Sequence, residues 1–215
     1  MKYRYLFFDL DGTLVYSHEG IYACFRYALK KMGKASPSDE DLRKCVGPPL
    51  EDSFQRIFGM DGEGALKASA YYREEYRRTG MYACALIPGV KEALQTLKDR
   101  GFVLAIATSK VQSFATSIAE RLGVAEYFQE IVGRGEDGSL FTKAEVIEEG
   151  RKRLGASAED SLMIGDRKQD ADGAKANGMD CALLQVGYAE AGELASCGSC
   201  YVFDNFEQLT DFLRE

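Results

Sequence analysis

The sequence predicts an α/β fold: a parallel sheet covered by helices on both faces and interrupted, after its first strand, by an all-helical insertion. Three observations carry this reading. Apolar runs at residues 5–8, 102–107, 161–164 and 181–184 are nearly continuous, the pattern of strands buried on both faces. Helical stretches alternate with these runs from Pro88-Gly89 onward. Between residues 16 and 84, by contrast, apolar side chains recur only at helical spacing, with no strand-like alternation.

The first strand, Tyr5-Leu6-Phe7-Phe8, stops abruptly at Asp9-Leu10-Asp11-Gly12-Thr13. In the insertion, Ile21, Phe25, Ala28, Leu29 and Met32 mark a first helix. Ser36-Pro37-Ser38 breaks it, and Asp39-Glu40-Asp41 stands where a helix start favours acids. Gly47-Pro48-Pro49 is a second break, followed by amphipathic stretches from about Glu51 to Phe58 and from Glu63 to Arg78. The later part reads helix Val90–Arg100, strand Phe102–Ala107, helix Val111–Leu122, strand Ile131–Val132, helix Lys143–Leu154, strand Ser161–Ile164, helix Ala171–Ala176 and strand Cys181–Leu184. Tyr201–Phe203 and Phe206–Leu213 close the chain. The expected organisation is an α/β core of residues 1–15 and 85–215 and a helical domain of residues 16–84, joined through two neighbouring crossings that make a natural hinge.

Composition narrows the functional classes. The 215 residues are 46% hydrophobic and 28% charged, as in an ordinary soluble domain. A net charge of −7 speaks against nucleic acid or an anionic membrane as partner, since the main attractive term has the wrong sign. The acid is unevenly placed: residues 16–84 hold 11 basic and 10 acidic side chains, the remainder 16 and 24. No apolar run approaches the ~20 residues of a membrane span, and Met1-Lys2-Tyr3 leads straight into a strand rather than a signal peptide, so a cytoplasmic location is expected. Six scattered cysteines fit a reducing compartment. Cys197-Gly198-Ser199-Cys200 is not read as a zinc site, because no second such pair exists and the only histidine is His18, itself read as solvated or packed.

Candidate chemistry gathers at strand ends. Asp9 and Asp11, two residues apart, lie on one side of an extended chain; one can attack an electrophile while the other handles the leaving group's proton. Gly12 lets the backbone turn and Thr13 adds a hydroxyl and an amide. Thr108, at the end of the next core strand, can donate to a phosphate oxygen. Lys143, at a helix start after a glycine-rich loop, can neutralise charge developing on a transferred group. Gly165-Asp166 and Asp170 repeat the pattern of the first strand end. Four carboxylates in one crevice repel each other, and a hard divalent cation, Mg²⁺ above all, removes that repulsion.

In order along the chain, Asp9-Leu-Asp11-Gly-Thr, Thr108, Lys143 and Gly165-Asp166-x-x-x-Asp170 resemble the four motifs of the haloacid dehalogenase superfamily in its phosphatase branch. The helical insertion resembles that superfamily's small cap, and Val46-Gly47-Pro48-Pro49-Leu50-Glu51 resembles a cap loop of phosphoglycolate phosphatase-like members. The resemblance implies a Rossmann-like core with an inserted helical cap and a Mg²⁺-dependent phosphatase acting on a small phosphorylated metabolite. In that scheme Asp9 forms an aspartyl-phosphate, Asp11 protonates the leaving oxygen and later activates water, and Thr108 and Lys143 hold the phosphoryl oxygens. Asp9, the backbone carbonyl of Asp11, and Asp166 bind Mg²⁺, with Asp170 in support; Ser109, Gly47 and Pro48 contact substrate. The chain departs from the pattern at Ser109 (often Asn), at Lys143-Ala144 (usually Lys-Pro), at Arg167 (usually Ser or Thr) and at Tyr16-Ser17 (commonly Asp-Ser). A 5′-nucleotidase or a β-phosphoglucomutase-like enzyme is the nearest alternative. A noncatalytic phospho-receiver or ligand-binding module is the alternative of another class; Thr108, Lys143 and the cap favour the enzyme.

Overall fold

The computed structural model describes residues 2–198 and 201–214. The chain divides into two compact units, Met1–Val15 with Leu86–Glu215, and Tyr16–Ala85. The larger unit is built on a six-stranded parallel sheet: β1 (Tyr5–Phe8), β4 (Val103–Val111), β5 (Glu130–Arg134), β6 (Ser161–Gly165), β7 (Asp180–Leu184) and β8 (Tyr201–Phe203), in the order β5-β4-β1-β6-β7-β8. Two short strands, β2 (Val15–Tyr16) and β3 (Ala85–Leu86), pair with each other where the chain crosses between units; at two residues each they carry no periodic signal in the sequence.

β1 sits between β4 and β6, with Tyr5 in register with Val103 on one side and Ser161 on the other. The chain therefore leaves β1 toward one edge and later returns to build the other, which opens a crevice at the carboxyl ends of these three strands. Helices α5 (Val90–Asp99), α6 (Gln112–Arg121), α7 (Lys143–Leu154), α8 (Lys168–Ala176) and α9 (Phe206–Phe212) complete this unit. One buried layer joins sheet residues Phe7, Ala105, Val132, Met163 and Leu183 to Val146, Ile147 and Ala174 of α7 and α8.

β4 runs past its expected end at Ala107 to Val111, and the added length contains a bulge. Ala107 pairs with Val132 and Val111 with Arg134, so four positions on β4 face two on β5. Thr108, Ser109 and Lys110 fall in the bulge, the kind of irregularity that re-aims side chains at a strand end. Two residues hold it. The Gln112 side chain donates from Nε2 to the Ile131 carbonyl at 2.8 Å and accepts from the Gly133 amide at 2.8 Å, replacing lost strand pairing. Gly133 lies so close that a Cβ there would stand 2.5 Å from the Lys110 carbonyl oxygen. α8 likewise starts at Lys168 rather than Ala171, because Asp170 Oδ2 accepts the amides of Asp166 and Arg167, each at 3.1 Å, and caps the helix from within.

The smaller unit contains α1 (His18–Lys31), α2 (Asp39–Lys44), α3 (Leu50–Arg56) and α4 (Gly62–Arg78). Ser38 and Asp61 cap α2 and α4, accepting the amides of Asp41 at 3.1 Å and Gly64 at 2.7 Å. Its core is aromatic: the Phe25 ring lies 5.0 Å from Phe54, 5.9 Å from Phe58 and 4.9 Å from Tyr72. α3 stops at Arg56, short of the expected Phe58, where the chain turns through Gly59 and the Met60 amide donates back to the Phe54 carbonyl. His18 packs between Tyr16 and Tyr22, with ring centroids at 6.4 and 5.7 Å. The Cys197 to Cys200 pair extends outside the described residues.

Gly133→Val should strain the bulge, because its nearest neighbours are backbone atoms that cannot rotate away. A loss of about 1–3 kcal/mol, the usual range for overpacking, is expected in urea denaturation, whereas Gly62→Ala, at an exposed helix start with open space around it, should cause no such loss.

Candidate active site

The first strand delivers Asp9 at its end, and the backbone then closes a tight loop. The amides of Leu14 and Val15 both donate to the Leu10 carbonyl, at 2.9 and 3.0 Å, and that of Gly12 to Val15. Gly12 has φ +83°, a conformation that side chains disfavour. A Cβ there would also meet Asp166 Oδ2 at 2.3 Å, so the loop lies directly against the end of β6. Thr13 is fully buried, and its hydroxyl donates to Asp166 Oδ1 at 3.1 Å. The Tyr188 amide donates to Asp166 Oδ2 at 2.7 Å.

Three acids converge. Oxygens of Asp9, Asp166 and Asp170 all lie within 4.8 Å of one another, and each residue is buried. Lys143 enters among them from the start of α7. Its Nζ lies 2.8 Å from Asp9 Oδ1 and 2.8 Å from Asp170 Oδ1, and donates to the Ala107 carbonyl at 3.2 Å. Both carboxylate contacts are ion pairs without the alignment of hydrogen bonds. The lysine stem reaches this position across Gly173 of α8, where a Cβ would stand 2.7 Å from Lys143 Cγ. The small-residue helix after Asp170 thus has a defined use.

Electrostatics follow from burial. Loss of water pushes the Asp166 carboxyl well above its usual range, with Asp170 and Asp9 adding repulsion against the opposing Tyr188 amide and Arg167. Burial raises Asp170 also, with Lys143 pulling the other way. For Lys143, burial alone lowers the ammonium, but Asp170 and Asp9 outweigh it and hold the lysine charged above its ordinary range. Asp11 lies apart from this cluster. Its Oδ2 pairs with Lys110 Nζ at 2.9 Å, with both side chains largely buried. Thr108, 1% exposed, accepts the Lys110 amide at 3.3 Å, and Ser109 follows it, half-buried, in the bulge.

The geometry therefore brings Asp9, Asp166, Asp170 and Lys143 into one cluster, with Asp11 beside Lys110. The Asp11 carboxylate is not a member of the three-acid group, so among the described residues its side chain is not one of the clustered metal-ligand candidates. Gly47 and Pro48 belong to the helical unit, in the turn between α2 and α3, and Gly47 has φ +107°. Sequence reasoning missed Lys110, although it directly follows Thr108-Ser109, and missed the Tyr188 amide, which carries no side-chain signal.

The profile of the family described as haloacid dehalogenase-like hydrolase matches residues 6–184. The chain is a haloacid dehalogenase-like hydrolase. It is 38% identical to a 5′-nucleotidase of Pseudomonas aeruginosa over 90% of this chain and 88% of that protein. It is 37% identical to the tyrosine-protein kinase PtkA of Mycobacterium tuberculosis over 86% of this chain, spanning 62% of that longer protein. Among solved structures, a predicted phosphatase from Clostridium acetobutylicum superposes with a TM-score of 0.95 at 37% identity, with both chains fully covered. The hydrolase is a phosphoric monoester hydrolase by family and by the company of these relatives.

The residues present suit the divalent cation that the family implies. Asp9 Oδ1 and Asp170 Oδ1 are buried without hydrogen-bond partners, the donors are all hard oxygens, and one lysine leaves three clustered acids with two unbalanced negative charges.

That imbalance has a measurable sign. A carboxyl raised in the folded state binds its proton more tightly there than in the unfolded chain, so its contribution to stability is present in acid and lost as pH rises through the folded value. In chelator, the hydrolase should lose stability relative to Asp166→Asn as pH is raised from about 4, the unfolded value of Asp. A divalent cation added at neutral pH should return the stability that wild type loses in chelator. Parallel stability curves for the two proteins, in thermal melts across that range, would show that Asp166 carries no such penalty.

Proposed function

We propose that this hydrolase is a Mg²⁺-dependent phosphatase that cleaves small phosphomonoesters through an aspartyl-phosphate on Asp9. The observation that carries the reading is Lys143, buried between Asp9 and Asp170 beside the Asp166 carboxylate. A structural salt bridge needs one acid, whereas this lysine sits among three, an arrangement suited to a phosphoryl dianion and its cation.

A bound Mg²⁺ would be held by Asp9, Asp166 and Asp170 together with the Asp11 carbonyl, and would supply charge neutralisation and orientation for the phosphoryl oxygens. Asp9 attacks phosphorus, with the Lys143 ammonium 2.8 Å from its Oδ1. Lys143 and the Thr108 hydroxyl hold phosphoryl oxygens as charge shifts toward the leaving group. Asp11 gives the leaving oxygen a proton, then takes one from the water that hydrolyses the phosphoenzyme. Lys110 grips Asp11 Oδ2 and leaves Oδ1, buried and without a hydrogen bond, for that proton. Ser109, next to Thr108 in the bulge, contacts substrate on this reading.

Two substrate readings stand side by side. The cap loop at Gly47-Pro48 supports a phosphoglycolate-like ester, with those residues touching the leaving group, whereas the 38% identical relative supports a 5′-nucleotide. Comparing kcat/KM for phosphoglycolate, 5′-nucleotides and a small aryl phosphate decides between them. Transfer to a protein hydroxyl in place of water would appear as labelled protein rather than free phosphate.

Asp9→Asn should keep its melting temperature and lose phosphate release by several orders of magnitude, on the scale seen when a nucleophile is removed. Asp11→Asn should accumulate acid-stable phosphoenzyme from an aryl phosphate, whose leaving group needs no proton. Normal Mg²⁺-dependent turnover by either variant overturns its assigned role. For the cap loop, Gly47→Val with Pro49→Ala strains a positive-φ position and loosens the start of α3. The ratio of kcat/KM for the preferred metabolite over the aryl phosphate should fall; an equal change in both removes the loop from specificity.

A further inference from the structure

Arg167, the residue that departs from the usual Ser or Thr, is a buried cation one position after Asp166, and its charge opposes the rise that burial gives that carboxyl. Its guanidinium pairs with Glu193, with Nε 2.9 Å from Oε1, and both side chains are nearly buried. The same Glu193 oxygen accepts the Lys168 amide, the first of α8, at 2.7 Å, and its other oxygen accepts the Glu190 amide at 2.9 Å. Three donors converge on one carboxylate that burial alone would push up; Arg167 and the amides of Glu190 and Lys168 hold it below its usual range.

Glu193 ends the segment that follows β7, and the beginning of that segment touches the site. The Tyr188 amide donates to Asp166 Oδ2. At Gly187 the backbone comes so near that a Cβ would stand 2.0 Å from Asp166 Oδ2 and 2.3 Å from the Gly12 carbonyl oxygen. Residues 187–193 are thus fastened at one end on Asp166 and at the other on the start of α8. A six-residue span from Tyr188 to Glu193 is short enough that releasing one end changes where the other can settle.

We propose that Glu193, held by Arg167, is a positioning residue for Asp166: it locks the 187–193 segment so that the Tyr188 amide fixes the carboxylate in the orientation that receives the divalent cation. The proposal rests on the Mg²⁺ reading given above, and it adds a residue that touches neither substrate nor cation. Groups that orient a metal ligand in this way commonly contribute about ten- to a hundredfold in affinity. The pairing also explains why an arginine is tolerated beside a cation site, since Glu193 cancels its charge.

The test uses the whole protein without substrate. Wild type, Glu193→Gln, Glu193→Ala and Arg167→Met are titrated with Mg²⁺ by calorimetry and with Mn²⁺ by electron paramagnetic resonance, and exchange of the Tyr188 amide is followed by NMR in the metal-free state. Glu193→Ala should weaken cation binding by about tenfold and speed Tyr188 exchange. Glu193→Gln, which keeps the shape and an acceptor oxygen, should fall between it and wild type. Arg167→Met combined with Glu193→Ala should be no worse than Glu193→Ala alone, because the two act through one link. Unchanged cation affinity in Glu193→Ala, or affinity lost while Tyr188 exchange stays slow, overturns the proposal, even if the melting temperature drops. Failure of wild type itself to bind Mg²⁺ is a separate result that overturns the metal reading, while the Tyr188 exchange comparison still decides whether Glu193 locks the segment.

Discussion

Everything at the carboxyl edge of the sheet is arranged around negative charge that burial prevents from being screened. Asp9, Asp166 and Asp170 are brought within 4.8 Å of one another, away from water, with a single lysine between them. Charges so placed interact several times more strongly than at the surface. Burial and mutual repulsion push Asp166 and Asp170 upward, while attraction to Asp170 and Asp9 holds Lys143 charged. On the proposed reading, a site in that condition exchanges protons for a cation and then accepts a phosphoryl group that it would otherwise reject.

Holding the acids there is a packing problem, and the backbone solves it by close approach. Gly12 and Gly187 let two loops meet at Asp166 Oδ2, while Gly173 gives the Lys143 stem passage over α8. Asp170 is both a member of the acid cluster and the cap of α8, accepting the amides of Asp166 and Arg167, so helix start and site cannot vary independently. The bulge in β4 does the same for the opposite wall. Gln112 and Gly133 stabilise an irregular strand end, and that irregularity sets Thr108 and Lys110 at the crevice.

These two mechanisms explain what could be read from the sequence. The apolar runs of β1, β4, β6 and β7 are legible because strands buried on both faces leave few polar choices. The acids at their ends are legible because a carboxylate directly after such a run has no packing reason to be there. Asp9 and Asp166 announce themselves in this way, whereas Asp170 and Lys143 are legible through their places in the motifs that the chain resembles. Lys110 does not, since its meaning depends on a bulge that no local pattern encodes, and read as part of a regular strand it would point elsewhere. The Tyr188 amide is invisible in principle, because every residue but proline has one. Glu193 lies 26 positions from its partner Arg167 in a stretch without regular period. Arg167 stood out only as a departure from a motif.

Charge counting joins these visible and hidden residues. The acids Asp9, Asp11, Asp166, Asp170 and Glu193 face the cations Lys110, Lys143 and Arg167. Lys110 is matched by Asp11 and Arg167 by Glu193, each in a close ion pair, so each pair adds no net charge to the count, even though Arg167 still draws Asp166 downward. What remains is three acids and one lysine, two negative charges in excess, the complement of one divalent cation. An unmatched arginine at 167 would reduce that excess by half, and an unmatched lysine at 110 would do the same from the other wall. Either change would oppose cation binding through charge alone, without moving a ligand. The chain therefore keeps two extra cations next to the proposed cation site by giving each its own acid, and the departure at Arg167 is compatible with the proposed metal chemistry because of Glu193, far along the sequence and adjacent in the fold.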